Sequence, residues 1–260
     1  MNKKVMFALL AGCAILCCCA IAAGVGIWYF MRNQPKPEPI GPYPNDPWVT
    51  ILPDDTDYPT LMPTSQLPLG VNFVETFADN SNEWELGEFE GQYVSSNEYL
   101  ENGKLYFSAV AVAEDGGYTY DTYYGNPYQD LEVSIEGKLL SGSEDSDYGL
   151  IFRKVDESNY YMFTINEEYQ EFILSKVIDD EMTDLMDDWE QSEAISATTA
   201  NTLKVRVIGN QITLFINGEQ VYSMEDDSIS EAGDVGFVVY LYDLDDTALI
   251  EFDNLRVSTR

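Results

Sequence analysis

The sequence contains no histidine, and its four cysteines all lie within the first 19 residues. The absence of histidine excludes a Ser-His-Asp triad, a Cys-His nucleophile pair and any histidine-ligated metal site. Because the chain after these cysteines has none, it can form no disulfide and carries no thiol chemistry. Any hydrolytic reaction would therefore depend on carboxylates, lysine or tyrosine.

Basic residues are scarce as well, since 13 lysines and arginines stand against 46 aspartates and glutamates, giving a formal net charge of −33. This charge opposes binding to nucleic acid and favours neutral ligands, cations or basic partners. With 45% apolar residues, the chain is nevertheless too hydrophobic to be an acidic disordered segment. We interpret the acidic residues as side chains of a solvated protein surface, and we predict no nucleic-acid partner.

Calcium binding is the alternative interpretation of this acidity. Four aspartates in predicted turns could hold Ca²⁺: Asp145, Asp147, Asp226 and Asp227. No spaced calcium-loop motif accompanies them, so we assign no metal site. The sequence predicts no cofactor and leaves only Ca²⁺ open.

One long apolar run, residues 5–31, follows two lysines and is closed by an arginine. It is long enough to span a bilayer core of ~30 Å as a helix. We predict that residues 1–32 form a signal anchor, a single transmembrane helix that places the rest of the chain on the extracytoplasmic side of the cell membrane. A lipoprotein lipidated at Cys13 and a cleaved signal peptide are the alternatives, because Leu10-Ala11-Gly12-Cys13 resembles a lipoprotein processing site.

Proline is concentrated in one region, with ten of the 11 prolines between residues 35 and 68. Closely spaced prolines favour an extended polyproline II conformation without a hydrophobic core. The composition therefore predicts an extended linker over residues 33–70, followed by a folded domain over residues 71–260.

The domain consists of short segments in which apolar and polar residues alternate, a pattern typical of β-strands with one buried face. Leu131, Val133 and Ile135 are one example. Gly209-Asn210 and Asn217-Gly218 predict tight hairpins, and Asp253-Asn254 predicts a β-bulge. We expect about twelve strands, with residues 180–188 as the one stretch that could form a helical turn. The predicted fold class is all-β, an antiparallel two-sheet jelly-roll sandwich preceded by one transmembrane helix.

Several fragments occur in a familiar order along the domain. They include Glu75-Thr76-Phe77-Ala78-Asp79-Asn80, Tyr148-Gly149-Leu150-Ile151-Phe152-Arg153 and Phe252-Asp253-Asn254-Leu255. In order and spacing the domain resembles the concanavalin A-like lectin/glucanase superfamily, and within it the family-16-glycoside-hydrolase-like or 3-keto-disaccharide hydrolase-like domains. This resemblance implies two antiparallel sheets packed face to face, one of them concave.

Glycosidases of that superfamily use a pair of carboxylates, which the retaining enzymes hold about 5–5.5 Å apart. The nearest candidates here are Asp130, Glu132 and Glu136, which the alternation places with Ser134 on one strand face. The glucanase pattern Glu-x-Asp-x-x-Glu is absent, and a solvated strand face is the alternative to a catalytic site.

A tyrosine-rich segment is the strongest candidate for ligand binding. Aromatic rings stack on the apolar faces of sugars, while carboxylate and amide groups pair with hydroxyls. We predict a sugar-binding loop made of Tyr118, Tyr120, Asp121, Tyr123, Tyr124 and Asn126, with packing of the loop as the alternative. Arg153 is either a donor to sugar hydroxyls or a salt-bridge partner of the carboxylates near Asp130.

These observations favour a membrane-anchored, extracytoplasmic carbohydrate-binding module that is lectin-like and non-catalytic, with a carbohydrate or cell-envelope glycan as its partner. The first alternative is a structural or protein-interaction module of the cell envelope without a sugar site. The second is a glycoside hydrolase that acts through strand carboxylates.

Overall fold

The computed structural model describes residues 70–259. The predicted anchor with Cys13, and nearly all of the predicted linker, lie outside the described residues. Within the described range the secondary structure consists of β-strands and turns, and no helix there is long and apolar enough to cross a membrane.

Nine antiparallel strands form the larger sheet. They are β1 (Gly70–Glu75), β2 (Gly87–Phe89), β3 (Val94–Glu101), β4 (Lys104–Ala111), β6 (Leu131–Gly142), β12 (Asn201–Ile208), β13 (Gln211–Ile216), β14 (Glu219–Glu225) and β16 (Thr247–Thr259). Their order is β14-β13-β12-β6-β16-β4-β3-β2, and β1 pairs with the C-terminal half of β16. The first and last strands of the described domain are therefore neighbours.

Seven antiparallel strands form the second sheet. They are β5 (Gly117–Tyr128), β7 (Asp147–Asp156), β8 (Asn159–Asn166), β9 (Glu171–Ile178), β10 (Glu181–Asp184), β11 (Glu190–Gln191) and β15 (Gly233–Leu241). Their order is β10-β9-β8-β7-β15-β5, and β11 pairs with β9. The predicted all-β architecture of two antiparallel sheets is confirmed.

One hydrophobic core lies between the two sheets and follows the predicted alternation. On β6, Leu131, Val133 and Ile135 are fully buried, while the residues between them point away from the core. On β15, Val235, Phe237 and Val239 occupy the same core from the opposite sheet. Burial of this many aliphatic and aromatic side chains is the main force that holds the sheets together.

The predicted turns are confirmed. β12 and β13 pair as a hairpin around Gly209, and β13 pairs with β14 across Asn217-Gly218. The register of β16 shifts between Asp253 and Arg256, where Asn254 has a φ of 53°. Asparagine tolerates this left-handed conformation better than most residues, which explains its place at the bulge.

Three expectations differ from the structure. The described residues contain sixteen strands rather than about twelve, and β2, β10 and β11 among them are too short for an alternating pattern to reveal. Part of the stretch predicted as a helical turn, Glu181–Asp184, forms β10, because it folds back on β9 through Asp179 and Asp180, both of which have positive φ. The tyrosine-rich segment predicted as a loop forms the long strand β5, in keeping with the strong β-propensity of tyrosine and threonine.

The seven-stranded sheet is buried on more than its core face. The first eight residues of β7 are all buried, and so are the last seven of β8. On the outer face, Ile151, Met162 and Val238 form a second small hydrophobic cluster. The opposite sheet does not cover this outer face. Large side chains of the seven-stranded sheet itself cover it.

Candidate functional site

A row of tyrosines crosses the outer face of the seven-stranded sheet. Its members are Tyr118 and Tyr120 of β5, Tyr160 of β8, Tyr240 of β15 and Tyr242, which follows β15. The rings of Tyr118 and Tyr240 stack with centroids 5.6 Å apart, and those of Tyr240 and Tyr242 lie 4.6 Å apart. The hydroxyls of Tyr118 and Tyr160 share a hydrogen bond of 2.6 Å that passes over β7 and β15. This bridge explains the burial of the outer-face cluster beneath it.

Two adjoining cavities open beside the tyrosine row and share Trp189 and Tyr242. We call them together the outer-face groove. The larger, of about 340 Å³, is lined by Asp145, Asp147, Asn166, Tyr169, Glu171, Trp189 and Tyr242. The smaller, of about 110 Å³, is lined by Met162, Thr164, Ile173, Ser175, Met182, Asp184, Trp189, Tyr240 and Tyr242. The groove thus combines aromatic walls with polar groups at its floor and rim.

Asp147 is the most buried acid of the groove, with 1% of its surface exposed. Asn166 Nδ2 donates to its Oδ1 at 3.0 Å, and the Tyr242 hydroxyl donates to its Oδ2. Burial raises the pKa of Asp147 to about 7, against the opposing effect of these two hydrogen bonds. Glu171 and Asp145 repel the charged form further, so this acid changes its protonation near neutral pH.

The other polar side chains of the groove include carboxylate acceptors and hydroxyl donors. Asp184 accepts a hydrogen bond of 2.7 Å from the Ser175 hydroxyl. Burial and repulsion from Asp188 and Asp145 raise the pKa of Glu171. Neither cavity of the groove is lined by lysine or arginine, so the groove has a negative potential.

The predicted sugar-binding tyrosines are separated by the alternation of β5. Tyr118 and Tyr120 point to the outer face, whereas Tyr123 points the other way and stacks on Phe73 with centroids 3.9 Å apart. Asp121 also points inward, and Tyr124 is 65% exposed. Asn126 lines a separate cavity of about 410 Å³ beside Asp130. Tyr118 and Tyr120 therefore belong to the tyrosine row but line neither cavity of the groove, whereas Asp121, Tyr123 and Tyr124 line a different cavity.

The predicted catalytic carboxylates lie on the other sheet. Asp130 precedes β6 and accepts a hydrogen bond of 2.8 Å from the backbone of Gly209. Glu132 points outward from β6 and accepts hydrogen bonds from Arg206 at 2.8 and 2.5 Å, while Glu136 accepts one of 3.2 Å from Asn254. None of the three lines the outer-face groove.

Arg153 is 1% exposed and sits at a bulge in β7 with a φ of 48°. Its guanidinium donates to the backbone carbonyls of Gln129, Ile229 and Gly209 at 2.7 to 3.1 Å. Within residues 70–259 it forms no ion pair with a carboxylate, and burial lowers its pKa. The side chain joins three chain segments rather than presenting donors to a ligand.

The sequence analysis assigns no metal site but leaves Ca²⁺ binding open. Among residues 70–259, no three aspartate, glutamate, cysteine or histidine side chains converge in a metal-binding arrangement. Of the four aspartates considered for Ca²⁺, Asp145 and Asp147 line the groove, and Asp226 pairs with Lys176 at 2.8 Å. Asp227 is exposed.

Trp189, Tyr240 and Tyr242 are groove residues that sequence reasoning did not assign to the site. Tyr240 and Tyr242 alternate with the buried residues Val239 and Leu241. This pattern could have placed both tyrosines on one outer face. Trp189 follows a connecting segment, where no alternation pattern indicates the direction of its side chain.

The profile of one protein family matches most of the chain. The 3-keto-alpha-glucoside-1,2-lyase-like domain matches residues 73–258, and the chain belongs to this family. The predicted resemblance to the 3-keto-disaccharide hydrolase-like and glucanase-type jelly rolls is thereby confirmed. No curated protein is significantly similar in sequence.

Solved structures share the fold at low sequence identity. A Bacillus licheniformis beta-glucanase superposes with a TM-score of 0.55 at 11% identity, over 74% of this chain and 99% of that one. A prokaryotic beta-1,3-1,4-glucanase (lichenase) derived from a mouse hindgut metagenome gives 0.54 at 12% identity, over 71% and 97%. A Bacillus subtilis protein of unknown function with a galectin-like fold gives 0.53 at 11% identity, over 74% and 97%. The domain is therefore a jelly-roll sandwich of the concanavalin A-like type.

Proposed function

We propose that the domain binds a carbohydrate in the outer-face groove of the seven-stranded sheet. One observation carries this proposal: aromatic side chains line both cavities, Trp189 and Tyr242 in each and Tyr240 in the smaller, beside carboxylate, amide and hydroxyl groups. Aromatic rings stack against the C–H faces of a sugar, while oxygen acceptors order its hydroxyls. Both parts of that recognition are present within one surface depression.

The family membership and the glucanases of similar fold support a sugar-related role. The family description names a lyase-like domain for 3-keto-alpha-glucosides, and two of the solved structures are glucanases. Since unrelated functions share one fold, this support is secondary to the groove itself.

Glycoside cleavage is the second candidate, and Asp147 is the observation that favours it. A buried acid whose pKa is raised to about 7 can give or take a proton at neutral pH, as general acid–base catalysis requires. Glu171 lines the same cavity and could provide a second carboxylate. The β6 carboxylates, which face away from the groove, would take no part in this version of the reaction.

We also propose, from the sequence alone, that residues 1–32 anchor the chain in the cell membrane and residues 33–70 hold the domain on the extracytoplasmic side. In that arrangement the partner is a glycan of the cell envelope or its surroundings. A structural or protein-interaction role in the envelope remains the alternative if no sugar binds.

The test is a titration of the full-length chain, kept in mild detergent because of its N-terminal apolar run, with neutral oligosaccharides and polysaccharides. The variant Tyr242→Ala removes a groove aromatic, and Tyr99→Ala is its matched control. These two tyrosines are 36% and 37% exposed, and Tyr99 lies in the other sheet, on β3. We expect one glycan class to raise the unfolding midpoint of the wild type and of Tyr99→Ala, but not of Tyr242→Ala.

Three other results would change the assignment. Binding that both variants retain would place the sugar elsewhere, and no binding by any glycan would favour the protein-interaction role. Release of reducing sugar that Asp147→Asn abolishes would establish the enzyme.

A further inference from the structure

The two cavities of the outer-face groove differ in the chemistry of their linings. Carboxylate and amide groups dominate the larger cavity, with Asp145, Asp147, Asn166 and Glu171 among its lining residues. The smaller cavity is lined mainly by apolar and aromatic side chains, and its polar ones are Thr164, Ser175 and Asp184. Since Trp189 and Tyr242 line both, a ligand that fills the groove has a polar part, a compact and mostly apolar part, and a face that rests on these two aromatic rings.

The smaller cavity has room for a substituent of a sugar but not for a second sugar ring. Its volume is about 110 Å³. An apolar cavity of about 150 Å³ holds one benzene molecule, and a pyranose ring with its hydroxyls is larger than benzene. Met162, Thr164 and Ile173 form the floor of the smaller cavity, because they are only 3%, 5% and 6% exposed. The group that fits there is therefore short and ends in an apolar atom.

Thr164 contributes a hydroxyl group to this floor. Within residues 70–259 its Oγ1 makes no hydrogen bond, although the residue is more than nine-tenths buried. Its neighbour on β7 is Gly149, which has no side chain, and its neighbour on β9 is the apolar Ile173. Natural structures keep few buried polar groups without a partner, because each one lowers stability. This hydroxyl is therefore available as a hydrogen-bond donor to a ligand.

Asp184 contributes a hydrogen-bond acceptor to the same cavity. It is exposed on the edge strand β10, and its Oδ1 accepts a hydrogen bond of 2.7 Å from Ser175. Its second carboxylate oxygen has no hydrogen-bond partner within the described domain, and no lysine or arginine lines the cavity. A carboxylate acceptor, a hydroxyl donor and an apolar floor correspond to the N–H, the carbonyl and the methyl group of an acetamide.

We propose that the outer-face groove selects sugars that carry an acetamido group, with the sugar ring against Trp189 and Tyr242 and the acetamido group in the smaller cavity. The amide N–H donates to Asp184, the Thr164 hydroxyl donates to the amide carbonyl, and the methyl group packs on Met162. This inference rests on the proposed function, because it names the class of sugar that the groove takes. A hexose with a hydroxyl in place of the acetamido group is too short to reach the floor, so it leaves Thr164 without a partner.

Pairs of sugars that differ only in their acetamido groups test this inference. Calorimetry follows the titration of the full-length chain in detergent with N,N′-diacetylchitobiose and cellobiose, and with the methyl glycosides of N-acetylgalactosamine and galactose. In at least one pair we expect the acetamido sugar to bind about tenfold more tightly or better, because it adds a hydrogen bond to a carboxylate and a buried methyl group. The N-formyl analogue of that sugar lacks only the methyl group and should bind about fourfold more weakly than the N-acetyl compound.

Two variants assign the preference to the smaller cavity. Thr164→Val removes the hydroxyl and nearly conserves shape, and Asp184→Ala removes an exposed carboxylate. We expect each to reduce the ratio of the two affinities about threefold or more and to change the affinity for the plain sugar less than about twofold. A merely structural role would change both affinities alike. Thr213→Val of β13 and the exposed Asp227→Ala, which line neither cavity, are the controls and should keep the wild-type ratio.

The inference is overturned if the plain sugar of every pair binds as tightly as its acetamido counterpart, or if Thr164→Val and Asp184→Ala both keep the full preference. In either case, sugar binding that Tyr242→Ala abolishes would still support a site in the groove, so the proposed function would stand while this inference fails. If no sugar of any kind binds, the proposed function fails and this inference fails with it.

Discussion

The hydroxyl of Tyr242 donates a hydrogen bond to the Asp147 carboxylate, so an aromatic wall of the outer-face groove is joined to its most buried acid. The bond favours the charged form of Asp147, while burial favours the neutral form and has the larger effect. Tyr242 therefore has two separable roles, stacking through its ring and setting protonation through its hydroxyl.

Tyr242→Phe separates these roles. Loss of the donor should raise the pKa of Asp147 above 7, while the ring still lines the groove. We expect sugar affinity to change less than threefold in Tyr242→Phe and to fall about tenfold or more in Tyr242→Ala, which loses the ring. A carbon-13 NMR titration of the Asp147 carboxyl and calorimetric titration with the bound glycan would check both. An unchanged Asp147 pKa in Tyr242→Phe would contradict the first expectation.

Glu98 should make the stability of the domain depend on pH. Its pKa is about 9 in the folded domain, well above the ordinary glutamate pKa of 4.5, because burial and the nearby Asp121 and Glu85 disfavour its charge. The folded state thus keeps a proton that the unfolded state releases, and stability falls as the pH rises from 4.5 to 9. Glu98→Gln removes this pH-dependent contribution, which is worth on the order of a few kcal/mol.

Urea unfolding of Glu98→Gln and the wild type at intervals from about pH 5 to about pH 9 would test this. We expect the two stabilities to diverge with rising pH, with the variant flatter. Glu219→Gln, an exposed glutamate of β14, is the control and should follow the wild type. Parallel curves for wild type and Glu98→Gln would show that the acid is not protonated in the fold.

The sequence pattern was sufficient for the strands but not for their contacts. Alternation on β6 and the turn residues at Gly209 and Asn217 are local signals, and each predicted its element correctly. The groove depends on which strands become neighbours. β5 lies beside β15, more than a hundred residues later, and only that pairing brings Tyr118 against Tyr240.

Two predictions of local conformation differ from the structure for physical reasons. The sequence analysis predicts one loop surface for the tyrosines of β5, but a strand sends alternate residues to opposite faces, so Tyr123 packs inward and Tyr120 outward. The sequence leaves a helical turn open for residues 180–188, yet pairing with β9 makes part of them a strand. Tertiary pairing outweighed the local signal only for residues 180–188, since the β-propensity of tyrosine and threonine already favours a strand at β5.

Arg153 should be a residue of the fold rather than of ligand recognition. Its guanidinium serves three backbone carbonyls that a single lysine ammonium cannot reach together. We expect Arg153→Lys to lower the free energy of unfolding by about 2–4 kcal/mol. Arg206→Lys, on the exposed face of the other sheet, should cost less than about 1 kcal/mol. Urea denaturation measures both, and a sugar affinity that changes in folded Arg153→Lys would contradict this role.

Glu132 provides the test of catalysis by the β6 carboxylates. It lies on the outer face of the nine-stranded sheet, where it pairs with Arg206 at 2.5 Å and with Lys204 at 3.6 Å. These partners are partly exposed, so Glu132→Gln should cost at most about 1 kcal/mol of stability. We expect this variant to leave glycan binding, and any glycan cleavage, at the wild-type level, whereas Asp147→Asn changes both. Loss of cleavage in folded Glu132→Gln would assign the active site to β6. Removal of a surface ion pair on the nine-stranded sheet would not otherwise affect cleavage in the outer-face groove.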